Sequence, residues 1–384
     1  MKRMLDVMKR AVDAGDCAGC SVLVTHGGRE VFYGGVGLAD IDSGRRLERD
    51  AVFRCFSQTK PVTGVAAVLC MERGLFSPRT PVYEFLPGFR DQVYGEQCKP
   101  VAWRPVFISD LLNMTSGLCY PGTFREAERA TGEVVKTVET RRAEGVQTST
   151  VEFANMLGKC PLAFEPGERW NYSFSADVMG AVIEVATGMT FGEFLRRELF
   201  DPLEMHETGF ILPEASRGRL VSTYDYKDGR YIHDESRETC LGLNAYRADT
   251  LLESGGAGLV STIDDYANFT QMLVDDGVFK GRRILSRHGR AYYTKPQLTA
   301  RQAETLSWQD LVGHNYANFC SVVQAGAPTS FFCNPGTFSW GGMLGTNFFV
   351  DPVEKLAYHF MVQKIGDSHA LQYRLRNMAY AALD

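Results

Sequence analysis

Ser57, Lys60 and Tyr172 are the residues of this chain whose types and surroundings could support covalent chemistry. Residues 53–62 read Phe-Arg-Cys-Phe-Ser-Gln-Thr-Lys-Pro-Val, so Ser57-Gln58-Thr59-Lys60 has the form S-x-x-K ahead of an apolar run. That spacing puts a hydroxyl and an amine on one face of a helix. A helix N-terminus offers unpaired N–H groups and a dipole that favour negative charge, which suits a serine becoming an alkoxide. The same field, together with burial, disfavours an ammonium, so Lys60 can act as a base. Pro61 falls where a helix tolerates a missing N–H. Alone, the motif also fits an N-cap serine and a surface lysine, and only partners elsewhere make it catalytic.

Two further segments supply such partners. Residues 165–180 carry a Pro-Gly turn, then Tyr172, then an apolar helical run from Ser175. A phenol on a loop near an ammonium can shuttle protons, although most tyrosines simply pack. Residues 338–351 read Phe-Ser-Trp-Gly-Gly-Met-Leu-Gly-Thr-Asn-Phe-Phe-Val-Asp. Glycines inside a strand-like run often mark the close approach of a ligand. The N–H of Met343, paired with that of Ser57, would form an oxyanion hole. Without the other motifs, the same run reads as a glycine-rich hairpin with Trp340 in the core.

The elements that must position these residues follow from periodicity. A helix is expected over 3–14, then short strands at 20–25, 30–34 and 37–40. Helical patterns follow at 59–73, 108–114, 126–144, 151–157, 176–187 and 191–200, and another at 264–276 after a glycine-rich stretch. Strands are expected at 321–324, 337–341, 346–351 and 356–363, with a closing helix at 370–383. Strands at both ends and helices between predict a sheet domain built from residues 1–60 and 245–384. Residues 61–244 form a mainly helical domain, and the active site lies between the two. The loops 120–147 and 314–334 are expected to shape the pocket.

Bulk properties bound the function. The chain has 384 residues, 45% hydrophobic and 23% charged, with a formal net charge of −5. A mildly acidic chain with scattered lysines and arginines argues against a nucleic-acid binder. No run of about 18 apolar residues exists, so no membrane span is expected. The charged N-terminus does not read as a secretory signal, and a cytoplasmic location is expected. The ten cysteines are expected to be free thiols, and Cys17-Ala18-Gly19-Cys20, a lone CxxC without a second pair, reads as coincidence. The seven histidines lack a paired context and read as structural or surface residues. No metal or cofactor is expected, and oligomeric state is left open.

Together the three motifs resemble the serine β-lactamase and penicillin-binding-protein superfamily, closest to its class C and esterase branch. Ser57/Lys60, Tyr172 and Trp340-Gly341-Gly342 fall in the family order. Four further stretches look similar too: residues 110–118, 201–205, 254–262 and 349–352. The resemblance runs from about residue 10 to the C-terminus and implies an α+β fold, β-lactamase/transpeptidase-like, with an antiparallel sheet flanked by helices beside a mostly helical domain. It also departs from the family in two places. The asparagine two residues after the tyrosine is Phe174 here, and the lysine of Lys-Thr-Gly is Trp340. Both changes put apolar surface where β-lactamases recognise polar groups. The resemblance therefore implies a carboxylesterase on small apolar acyl esters, with Phe174, Trp340, Gly341 and Gly342 contacting substrate. β-Lactamase, D-Ala-D-Ala carboxypeptidase-like and acyltransferase activities are the alternatives, with an ester or amide as the small-molecule substrate. An α/β-hydrolase would need a Gly-x-Ser-x-Gly elbow, which no serine provides. A degenerate binding protein on the same fold is the non-enzymatic alternative.

Overall fold

The computed structural model describes residues 2–227, 230–234, 236, 239–243, 246–365 and 369–383. The expected domain boundary at 244/245 lies outside the described residues. Strands β1 (Gly19–His26), β2 (Arg29–Asp40) and β3 (Arg45–Arg46) come from the N-terminal part of the chain. Strands β4 (His314–Ala317), β5 (Cys320–Val323), β6 (Phe338–Gly341), β7 (Asn347–Asp351) and β8 (Leu356–Val362) come from the C-terminal part. They form one antiparallel eight-stranded sheet in the order β4-β5-β6-β7-β8-β1-β2-β3. The last strand of the chain thus pairs with the first, with Ser21 opposite Met361 and Val24 opposite Tyr358.

The longer helices are α1 (Lys2–Asp13), α2 (Lys60–Glu72), α3 (Glu126–Ala143), α4 (Thr150–Gly158), α5 (Ser175–Thr187), α6 (Ile263–Val274) and α7 (His369–Tyr380). Side chains alternate faces along a strand, and β8 shows what each face buries. Tyr358 and Phe360 join a core with Met4 and Met8 of α1 and Leu375 of α7. Ala357 and Met361 face the other way, into a larger core shared with Met272 of α6, Val65 of α2 and Val182 of α5. Helix α2 is buried from Lys60 to Cys70, apolar all round as a central helix must be. One face of the sheet therefore shares the larger core with α2, α5 and α6, and Lys60 opens α2 beside it.

The expected strands 30–34 and 37–40 are one continuous β2, and residues 314–317, expected as loop, form the edge strand β4. Four residues beginning His-Asn are too few for an alternating pattern to register. The expected helix 191–200 begins as an α-helix, Phe191–Leu195, and then widens into a π turn, Arg196–Phe200. No single helix among the described residues is long and apolar enough to cross a membrane.

His359 on β8 is fully buried between Thr270 Oγ1 (2.7 Å from Nε2) and the Leu23 carbonyl (3.4 Å from Nδ1). Burial pushes its pKa down to about 4. The unfolded imidazole takes a proton near pH ~6.5, so this group's contribution to stability is complete above that pH. It is lost as pH falls from there through the folded value. The loss should approach about 3 kcal/mol. Urea unfolding between pH 7 and pH 4 should show that slope, and His359→Gln should make it shallower.

Candidate active site

The nucleophile turn is clamped before it begins. Arg54, buried, gives Nη1 to the Val221 carbonyl at 2.9 Å. Gln363 brackets its backbone, accepting from Arg54 N and donating to Arg54 O, both at 3.1 Å. Phe56 then takes a φ of +45°, uncommon for a bulky residue and a sign of local strain. That kink opens a 3-10 turn, Phe56–Thr59, which runs into α2. Ser57, expected at a helix start, stands on this turn, half-buried and facing a cavity.

Lys60 Nζ lies 3.2 Å from Ser57 Oγ, 3.0 Å from the Tyr120 hydroxyl and 2.7 Å from the Gly256 carbonyl, with its side chain wholly buried. An ammonium has three N–H donors, and each finds an acceptor here. A neutral amine would keep its bond to Gly256 and present its lone pair to a hydroxyl. The site therefore fits both protonation states, as a proton acceptor requires.

The phenol bonded to Lys60 is that of Tyr120, which the sequence reading did not single out. Tyr172 instead presents its ring to the amine, with Nζ 4.7 Å from the ring centroid, and its oxygen accepts from Trp340 Nε1 at 3.4 Å. The two rings sit 5.5 Å apart because their loops are stitched together. Ser116 Oγ meets Ser175 Oγ at 2.8 Å, Asn171 Nδ2 donates to Leu118 O at 2.8 Å, and Asn171 N donates to Met114 O at 2.8 Å. The Tyr120 loop starts from a turn that Asp110 anchors, accepting from Thr115 Oγ1 at 3.0 Å and from Arg104.

Phe174 was expected to touch substrate, and the structure corrects this. It is buried behind Tyr120 (ring centroids 4.5 Å apart), packs on Phe153 (5.3 Å), and adds nothing to the Ser57 cavity. The rings beside the amine are those of Tyr172, 4.7 Å from Nζ, and Tyr120, 5.6 Å away. Trp340, Gly341, Gly342 and Met343 do line the cavity. Gly342 explains how β6 reaches the nucleophile: a Cβ there would lie 2.2 Å from the Cys55 carbonyl and 2.4 Å from Thr346 Oγ1. Only a bare Cα lets the end of β6 press on the turn that carries Ser57. Met343 follows in the turn to β7, on the same cavity as Ser57.

The cavity has a volume of about 410 Å³. Its walls near Ser57 are aromatic: Tyr172 and Trp308 cross at 4.7 Å, and Trp308 stacks on Trp340 at 5.9 Å. Trp308 is a second residue the sequence reading passed over. A large aromatic in the polar run Ser307-Trp308-Gln309-Asp310 was the available signal. His314 also lines the cavity, and burial, helped by the Arg376 charge, pushes its pKa down to about 4, so it is neutral at ordinary pH. Arg376 forms part of the same wall, with its guanidinium over the rings of Phe331 (4.4 Å) and Phe349 (5.1 Å) and bonded to Asn347. The side chain of His369 lies outside the described residues. Cys17 and Cys20 are buried free thiols in the α1 side of the sheet, away from this cavity. No group of acidic, histidine and cysteine side chains among the described residues could hold a metal ion.

The Beta-lactamase family model matches residues 5–383. The chain belongs to that family. Protein Rv1367c of Mycobacterium tuberculosis is 29% identical over 94% of this chain and 89% of that protein. Esterase EstB of Burkholderia gladioli is 26% identical over 99% of this chain and 95% of that protein. The solved structure of EstCE1, described as a hydrolase with promiscuous acyltransferase activity, superposes with a TM-score of 0.81 at 22% identity, covering 99% of this chain and 98% of that one. The β-lactamase/transpeptidase fold is thus established, and the chain is an enzyme of the serine hydrolase superfamily. An all-antiparallel sheet also removes the α/β-hydrolase alternative.

Gly342→Ala should lower kcat/KM by roughly 100-fold or more, the scale of losing one oxyanion donor. The fold should be retained, because the clash is confined to the Cys55–Thr346 contact. Steady-state kinetics with an activated ester, beside a melting curve, check both parts.

Proposed function

We propose that this member of the Beta-lactamase family is a carboxylesterase acting on small apolar acyl esters through an acyl-enzyme on Ser57. One observation carries the reading. The hydroxyl of Ser57, 3.2 Å from a fully buried Lys60 amine, opens onto a cavity walled by Tyr172, Trp308 and Trp340. A buried amine at hydrogen-bond distance is placed to take the serine proton as Oγ attacks the ester carbonyl. The carbonyl oxygen, gaining negative charge, is received by the N–H groups of Ser57 and Met343. As the tetrahedral adduct collapses, the C–O bond to the alcohol breaks and the alkoxide needs a proton. Tyr172 is placed to pass it, because its oxygen already accepts from Trp340 and its own hydrogen stays available. Water then attacks the acyl carbonyl, its proton passing through Tyr172 and Lys60 to Ser57 Oγ as the bond between the acyl carbon and Oγ breaks.

The aromatic walls support apolar acyl groups over β-lactams. Trp340 stands where the family's Lys-Thr-Gly lysine would be, so the strand carries an indole in place of a cation. Esterase EstB, which aligns over almost the whole chain, supports the same choice. Acyl transfer is the second reading, suggested by the acyltransferase activity in the description of EstCE1, in which an alcohol replaces water in the last step.

Ser57→Ala should abolish both hydrolysis of p-nitrophenyl butyrate and labelling by a fluorophosphonate probe; turnover retained by a clean preparation would remove the assignment. Nitrocefin should be turned over far more slowly than the ester. Product analysis with added alcohol separates hydrolysis from transfer.

Tyr172→Phe should cost roughly 100- to 10,000-fold in kcat/KM, the usual span for a lost proton-transfer group. Tyr120→Phe, which removes one acceptor from Lys60 and leaves the leaving-group side intact, should cost less. The reverse ranking would transfer the shuttle to Tyr120.

A further inference from the structure

Asp177 is a buried acid that the proposed mechanism does not use. It stands in the first turn of α5 and is 2% exposed. Its Oδ1 accepts from Ser254 Oγ, whose oxygen in turn accepts from Ala257 N at 3.0 Å. Its Oδ2 has no hydrogen-bond partner and lies against Gly256, where a Cβ would come within 2.2 Å of it. The polar neighbours of this carboxyl are donors: the Ser254 hydroxyl, with the N–H dipoles of Gly256 and of Asp177 itself acting in the same sense. A carboxylic acid's proton would find one acceptor among them, the Ser254 oxygen, which already accepts from Ala257 N. A carboxylate matches them, and matches the positive end of α5.

A buried carboxylate needs a counter-charge, and the cation within reach is Lys60. Gly256, whose Cα faces Asp177, accepts from Lys60 Nζ through its carbonyl at 2.7 Å. We propose that Asp177 is the positioning carboxylate of Lys60: its charge, acting across Gly256, sets the proton affinity of the amine, and its bond to Ser254 fixes the 254–257 turn that holds it. This rests on the Ser57 hydrolase reading and adds a residue to it.

The other titratable groups facing the pair are Tyr120 and Tyr172 from the two stitched loops, and Cys240. Burial raises the Tyr120 phenol well above its ordinary value and pushes the Cys240 thiol up to about 12, the Asp177 charge adding to both. Both stay neutral at working pH, so the charge balance lies between Asp177 and Lys60. For Asp177 itself, burial raises the pKa, while the Lys60 charge and the Ser254 hydroxyl hold it down.

The test is the pH dependence of fluorophosphonate labelling at Ser57, which needs neither the natural ester nor deacylation. The wild-type rate should rise with pH as the amine loses its proton. Asp177→Asn, close in shape and without charge, should move that midpoint down by roughly one to two pH units, the scale of unit charges several ångströms apart at an effective dielectric near 20. Asp177→Glu should return the midpoint toward wild type. An unmoved midpoint in a folded Asp177→Asn enzyme overturns the proposal, even if the plateau rate falls. Should Asp177→Asn and Asp177→Ser both fail to fold, the carboxylate serves packing alone, which overturns it equally. Failure of the wild-type enzyme to label at Ser57 would instead remove the hydrolase reading itself.

Discussion

The rest of the site depends on one constraint: the amine of Lys60 is held without any contact with bulk water. An isolated ammonium in an apolar interior is prohibitively costly, so such a group must be neutral or fully bonded. Here the sequence places it at the first position of a helix buried on every side, and the fold must then bring acceptors to it. Ser57 comes from the same turn, Tyr120 from a loop sixty residues on, and Gly256 from the segment leading into α6. The Thr63 hydroxyl, one turn along α2, bonds the Gly255 carbonyl at 2.7 Å and holds that segment in place. These contacts tie α2 to both halves of the molecule, and the site cannot form until the sheet and the helices share their core.

The chain brings these groups together with short polar stitches laid over hydrophobic packing. The 114–119 loop and the 171–175 loop share a cluster of serine hydroxyls and an asparagine amide, all buried or nearly so. A hydroxyl can both donate and accept, so Ser116, Ser173 and Ser175 satisfy one another without bringing a charge beside Lys60. The result is an aromatic shelf, Tyr120 and Tyr172 at 5.5 Å, whose rings flank the amine on two sides. Ring faces attract a cation and cost less than an empty apolar wall when it is protonated.

Which parts of this were legible in the sequence follows from where each signal is stored. Ser57 and Lys60 lie three apart on one element, and Trp340 to Met343 are contiguous, so local spacing carries both. The apolar runs of β8 and α2 gave those elements almost to the residue, because each is buried on all sides. Tyr120 and Trp308 left no such trace. Each is a single aromatic on a loop, and its role arises only when that loop folds over another one far away in sequence. Phe174 misled for the opposite reason. The resemblance puts it where the family's asparagine meets substrate, but the chain turns into α5 there, and Phe174 points inward to Phe153 while Tyr172 faces the cavity. Strand β4 was missed because four residues of mixed polarity on a sheet edge carry too little periodicity.

Trp340 shows how one substitution in a motif can change both recognition and proton traffic. An indole N–H is a donor and never an acceptor. Bonded to the Tyr172 oxygen, it fixes the direction of that hydrogen bond, so the phenol proton is not used in it. A water or a hydroxyl at that position could reverse the arrangement and occupy the proton. The rest of the indole forms the wall against which Trp308 stacks, 5.9 Å away, so the group bonded to the Tyr172 oxygen is also an apolar wall of the cavity. Under the proposed esterase reading, selectivity for apolar esters and readiness to protonate an alkoxide would both come from one side chain. The constraint that keeps Trp340 in place is the approach of Gly342 to the Cys55 carbonyl, where the strand meets the nucleophile's turn.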